Sequence, residues 1–148
     1  MFLQESDDQK SIRIGGRELS VITQEKRSGI VGYMGHQPEL FSADIEENIL
    51  LGDEGNALKY LRAVRMEEET AKMPDGIHTL VGNGGVRLSG GQQARIALAR
   101  TLCHRKPVMI LDDPFSAVDT ETEKEIMKNL RELARDSIVL LLTHRLAL

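Results

Sequence analysis

Two short apolar runs near the C-terminus, Val108-Met109-Ile110-Leu111 and Ile138-Val139-Leu140-Leu141-Leu142, constrain the fold of this chain more than any other feature. Runs of this length read as strands buried on both faces, a situation typical of parallel sheets. Between them Ile126, Leu130 and Leu133 share one helical stripe in a segment that starts at Thr120, so the unit reads strand, helix, strand. A right-handed crossover leaves the two strands parallel, with their carboxyl ends on the same side of the sheet. Asp112 and Asp113 close the first strand, and His144 follows the second. All three therefore fall where open α/β sheets bind ligands.

The rest of the chain is arranged around this unit. The polar residues before Ser11 have no period and read as a frayed end. From there Ser11-Ile12-Arg13-Ile14 alternates, Gly15-Gly16 turns the chain, and Leu19, Val21 and Ile22 lead to a second short strand over Gly29-Ile30-Val31-Gly32-Tyr33, so the start reads as small β elements. Beyond Asp44 the pattern becomes helical: Ile45, Ile49 and Leu50 share a face, and after Gly52 so do Leu58, Leu61 and Val64. Met73-Pro74-Asp75-Gly76 is a turn, and the following glycines make a loop until a helix opens after Gly91. That helix carries Ile96, Ala99, Leu102 and Cys103 and stops before Pro107. With 148 residues, 41% of them hydrophobic and 28% charged, the chain suits one soluble domain with its own core. A net charge of -4 without a dominant Lys/Arg cluster argues against nucleic acid as a partner. Ile138 to Leu142 is far too short to cross a bilayer and the N-terminus is unlike a signal peptide, so membrane contact is expected only through another segment or chain. The lone Cys103 suits a reducing cytosol and packing as a small apolar side chain.

The chemistry concentrates at three places. Leu88-Ser89-Gly90-Gly91-Gln92 stands at a helix start, where a hydroxyl, two glycines and the helix dipole suit close approach to an anion. A plain glycine-rich turn with a serine N-cap is the alternative. Adjacent carboxylates at Asp112 and Asp113 are costly at the end of a buried strand unless they meet a metal, a water or a cation, which makes a magnesium and acid-base pair plausible; a turn role is the alternative, chiefly for Asp113. Ser116-Ala117-Val118-Asp119 connects to the next helix, and Asp119 by itself would serve as an N-cap. A lone His144 would more often be structural, but the strand end it shares with Asp112 favours a functional role. The spacings of His36, His78, His104 and His144 show no metal-ligand pattern.

Taken together these segments resemble the ATPase domain of ABC transporters. Leu88 to Gln92 is similar to the signature motif, Val108 to Asp112 to Walker B, Ser116 to Asp119 to the D-loop, and His144 to the switch histidine. Gly32 to Phe41 resembles the Q-loop region, with His36 rather than Gln37 aligned to the usual glutamine. Glu47-Asn48-Ile49 with Gly52, and Thr79 to Gly85, resemble the exporter pattern and the X-loop that meets the transmembrane coupling helices. The resemblance implies a P-loop NTPase-like α/β domain with a parallel sheet core, residues 1–42 and 106–148, and a helical subdomain, residues 43–105. It implies ATP and Mg2+, with Asp112 on the metal, Asp113 and His144 catalytic, and Ser89, Gly90, Gly91, Gln92, His36, Gln37 and Asp119 at the nucleotide. Asp113 stands where the family has a glutamate, and Asn83 where the X-loop has an acidic residue.

A Gly-x-x-x-x-Gly-Lys-Ser/Thr phosphate loop is absent, since Lys10-Ser11 is the only Lys followed by Ser or Thr and no glycine precedes Gly15. The resemblance puts Met1 near the end of the helix that should follow that loop and Leu148 just past the switch histidine, so an incomplete domain is expected, without a central strand and the C-terminal elements. Its function is then a piece of an ABC exporter's ATPase on the cytoplasmic side of the membrane, inactive alone, working with a second, different nucleotide-binding domain and with transmembrane coupling helices. A non-transport ABC ATPase, or a non-catalytic regulatory piece, are the alternatives.

Overall fold

The computed structural model describes residues 11–144. The chain opens with a hairpin of β1 (Arg13–Ile14) and β2 (Arg17–Glu18), paired antiparallel across Gly15 and Gly16, both at positive φ. A short 3-10 turn leads to α1 (Gln24–Ile30) and directly into β3 (Val31–Met34). α2 (Ile45–Leu50) starts where the Asp44 side chain accepts from the Glu47 amide, and stops where Leu51 and Gly52 take positive φ. α3 (Ala57–Ala63), capped by Asn56, and α4 (Glu67–Ala71) complete the small helices. α5 (Gly90–Cys103), β4 (Val108–Asp112), α6 (Thr120–Leu133) and β5 (Ile138–Leu142) follow.

The strands β3, β4 and β5 form one parallel sheet with β4 in the middle. The mixed α/β architecture expected from the strand, helix, strand unit is thus present. α5 lies at the centre, packing on α2, α3 and β3. It buries Ala94, Ile96, Ala97, Leu98, Ala99 and Leu102 on most sides, as a helix enclosed by neighbours must. These join Ile45, Ile49, Leu61, Met109, Leu111, Ile126 and Leu130 in a single core. Each fully buried Leu or Ile there contributes about 1.5–3 kcal/mol by leaving water.

Three expectations need correction. Gly29 and Ile30 end a helix, and the strand from Val31 pairs in parallel with β4 instead of belonging to a local β unit. α1 buries none of its residues, so it leaves no apolar stripe in the sequence. Leu58 is exposed, with Ala57 and Leu61 turned to the core in its place. The apolar runs of β4 and β5 are not buried on both faces. Met34, Met109 and Leu111 face the core, while Tyr33, Ile138, Leu140 and Leu142 are 45%, 64%, 49% and 51% exposed on the other side. Side chains alternate across a strand, and no described helix covers that second face.

Candidate functional site

The carboxyl ends of the three parallel strands bring their polar residues together. Asp112, the last residue of β4, is half-buried and accepts a hydrogen bond from the Tyr33 hydroxyl at 3.4 Å. Partial burial, and then the Asp112 carboxylate, hold the Tyr33 phenol above its ordinary pKa. Asp113 leaves the strand at φ 48, a left-handed conformation that Asp tolerates better than most residues. Its amide donates to the Leu142 carbonyl at 2.7 Å and its carbonyl accepts from the Ser116 amide at 3.2 Å. The turn role open to Asp113 is therefore filled by its backbone, and its buried side chain is left to face His36. His36 Nδ1 lies 3.6 Å from Asp113 Oδ2, with the ring half exposed in the loop after β3. That separation is longer than a hydrogen bond and within reach of an ion pair when the ring is protonated. Gln37 is exposed beside it, and His144 is exposed just beyond the end of β5.

Oxygen donors of this kind suit a hard divalent cation. No group of three or more His, Cys, Asp or Glu able to hold a metal occurs among the described residues. A cation at Asp112 would have to draw the rest of its oxygen shell from water or a bound ligand.

The second cluster is the start of α5. Ser89 caps it, its hydroxyl accepting from the Gln92 amide at 3.2 Å while Gln92 Oε1 accepts from the Ser89 amide at 2.9 Å. The N-cap role is thus realised, and it orients the first turn with the Gly90 and Gly91 amides as donors at the positive end of a fourteen-residue helix. The two glycines differ. A Cβ at Gly90 would meet nothing within 4 Å, whereas one at Gly91 would lie 2.5 Å from the Ala117 carbonyl oxygen. Gly91 therefore lets the helix start touch the 116–119 connection. Asp119 in that connection caps α6, accepting from the amides of Glu121 at 3.1 Å and Thr122 at 2.9 Å, and these bonds hold its carboxyl below the ordinary range.

Sequence reasoning misses two anchors of these clusters. Tyr33 reaches Asp112 through the register of β3 on β4, which no local pattern reveals. Glu69 of α4 takes Gln92 Nε2 at 3.0 Å and Arg95 at 2.7 Å, fixing the first turns of α5 from a distant segment.

Comparison with known proteins gives one family. The profile of the family described as ABC transporter matches residues 1–116. A "Probable multidrug resistance ABC transporter ATP-binding/permease protein" of Bacillus subtilis is 38% identical over 141 residues, covering 93% of this chain and 24% of that protein. A "Multidrug efflux ATP-binding/permease protein" of Mycobacterium tuberculosis is also 38% identical over 141 residues, covering 93% of this chain and 12% of its own length. Among solved structures, a bacterial Atm1-family ABC exporter with ATP bound matches with a TM-score of 0.83 and 29% identity, over 91% of this chain and 24% of that one. The chain thus spans a quarter or less of the length of these relatives.

Proposed function

The chain belongs to the ABC transporter family, and from that premise we propose that it supplies the signature half of a composite ATP site in an exporter. In this reading the nucleotide lies on the phosphate loop of a second nucleotide-binding domain. Ser89 and Gly90 close on its phosphates, with Gly91 and Gln92 holding the helix start in place and Asp119 reaching across the interface. The observation that carries the reading is the start of α5, capped, rigidly anchored and unobstructed at Gly90. Backbone donors and a helix dipole aimed at open space favour an anion more than any other ligand.

The strand-end residues belong to the chain's own half of a site. There Asp112 would hold Mg2+, which supplies charge neutralisation on the phosphates. Asp113 would face the attacking water, with His144 and either His36 or Gln37 beside the terminal phosphate. Residues 1–42 and 106–148 form the catalytic-core portions and 43–105 the helical subdomain of this proposal. Relatives named as export and efflux ATP-binding/permease proteins favour an exporter, with the Thr79–Gly85 loop against transmembrane coupling helices on the cytoplasmic side of the membrane. No described helix is long and apolar enough to cross a membrane.

Gly90→Asp in the transporter assembly that contains this sequence tests the reading. A Cβ at Gly90 meets no atom within 4 Å, so the fold should survive while the added charge repels phosphate. ATP turnover should be abolished, and unchanged turnover contradicts the assignment.

A further inference from the structure

The loop from Gly35 to Ala43 carries His36 and belongs to no strand, so its backbone groups must be satisfied from elsewhere. Two side chains do most of this. Asn48, fully buried in α2, accepts from the Phe41 amide at 2.9 Å and donates to the carbonyls of Phe41 at 3.1 Å and Asp44 at 2.9 Å. Arg100, in the last turn of α5, donates from Nη2 to Asn48 Oδ1 at 2.6 Å, from Nε to the Asn48 carbonyl at 2.7 Å and from Nη1 to the Glu39 carbonyl at 3.1 Å. Its guanidinium also lies 4.8 Å from the centre of the Phe41 ring.

Arg100 is partly buried, and among the described residues no carboxylate pairs with it. Its charge is instead met by carbonyl oxygens and a ring face, an arrangement that suits the planar, forked guanidinium and that the point charge of a lysine cannot reproduce. Burial accordingly lowers its pKa. A partly buried cation spent on backbone carbonyls loses hydration that packing alone does not return. Its effect on the loop is specific: β3 fixes the chain at Met34 and Arg100 fixes it again at the Glu39 carbonyl. Between those points lie only Gly35, His36, Gln37 and the stiff Pro38.

We infer that Arg100 is a positioning residue which, through Asn48 and the Glu39 carbonyl, sets the place of His36 beside Asp113. This links the helix that begins at Ser89 to the strand-end group, and so deepens the reading of both clusters as parts of ATP sites. It rests on that reading only for its purpose. The contact itself needs no nucleotide, so the two can fail separately.

The test uses the full chain without nucleotide. Amide hydrogen exchange of Arg100→Lys should speed up at Phe41 and Ala43 by about tenfold, as expected for loss of a charge-assisted bond, while amides within α5 stay within about twofold of the parent. Asp113→Asn should shift the His36 ring proton resonances, and in the Arg100→Lys background that shift should shrink by at least about half. If Arg100→Lys does not fold, Phe41→Leu, which removes only the ring beneath the guanidinium, carries the same two readings with smaller changes. Uniform acceleration across the chain, or an Asp113→Asn shift that is undiminished when Arg100 is replaced, overturns the inference.

Discussion

Gly90 and Gly91 are neighbours in one motif, and the structure predicts opposite outcomes when each becomes alanine. At Gly91 the new methyl would sit 2.5 Å from the Ala117 oxygen and 3.4 Å from its carbonyl carbon. Real Cβ atoms do not approach backbone this closely, so α5 and the 116–119 connection must move apart. Overpacking of this kind costs about 1–3 kcal/mol, against a helix-propensity gain from replacing glycine of up to about 1 kcal/mol. At Gly90 only the gain applies, since nothing lies within 4 Å. Gly90→Ala should therefore equal or exceed the parent in stability and Gly91→Ala should fall below Gly90→Ala by roughly 2 kcal/mol. Urea unfolding followed by circular dichroism, extrapolated with a shared slope, measures the gap. Equal stability of the two variants would refute the close contact, and with it the division in which Gly90 serves the ligand and Gly91 serves the fold.

The uncovered face of the sheet predicts association. The chain should show concentration-dependent self-association by sedimentation, and Leu140→Lys, on a strand position 49% exposed, should shift it toward monomer without loss of helical signal; a parent chain monomeric at all concentrations contradicts this. If Asp113 faces the attacking water as proposed, a carboxylate one methylene shorter than glutamate would limit its reach, and a misplacement of that size can cost on the order of a hundredfold in rate. If the chain pairs with a second, different nucleotide-binding domain, as the sequence suggests, Asp113→Glu in that assembly, with the second domain's own catalytic glutamate disabled, should raise turnover clearly, provided the longer side chain is accepted at φ 48. No change with ATP still bound would mean that something other than reach limits the site.

What could be read from the sequence was what is decided locally. Asp44 ahead of Ile45, Ser89 ahead of the Gly-Gly pair, and the two apolar runs around α6 each carry their structural cause within a few residues. An apolar run reports that a strand is hydrophobic and not whether anything covers its second face, as Leu140 shows. The turn or cap alternatives at Ser89, Asp113 and Asp119 were likewise legible, since each follows from short-range backbone bonds. The remainder depends on contacts between distant segments. Tyr33 meets Asp112 only because of the β3–β4 register, Gly91 meets Ala117 through packing, and Arg100 reaches back to Glu39 and Asn48. α1 is hidden for a different reason: Ile30 is its one apolar side chain and none of its residues is buried, so its helical state leaves no periodic signal.

In the proposed reading this chain offers a signature surface and Walker B carboxylates, while its sequence holds no Gly-x-x-x-x-Gly-Lys-Ser/Thr loop to cradle a triphosphate. Backbone amides, a lysine and a hydroxyl in one loop are what neutralise ATP phosphates, and none of its Lys residues stands in that pattern. Isothermal titration of the purified chain with ATP, with and without Mg2+, tests this directly. Binding should be no tighter than about 1 mM, with no hydrolysis by the chain alone. Micromolar, magnesium-dependent binding would contradict it.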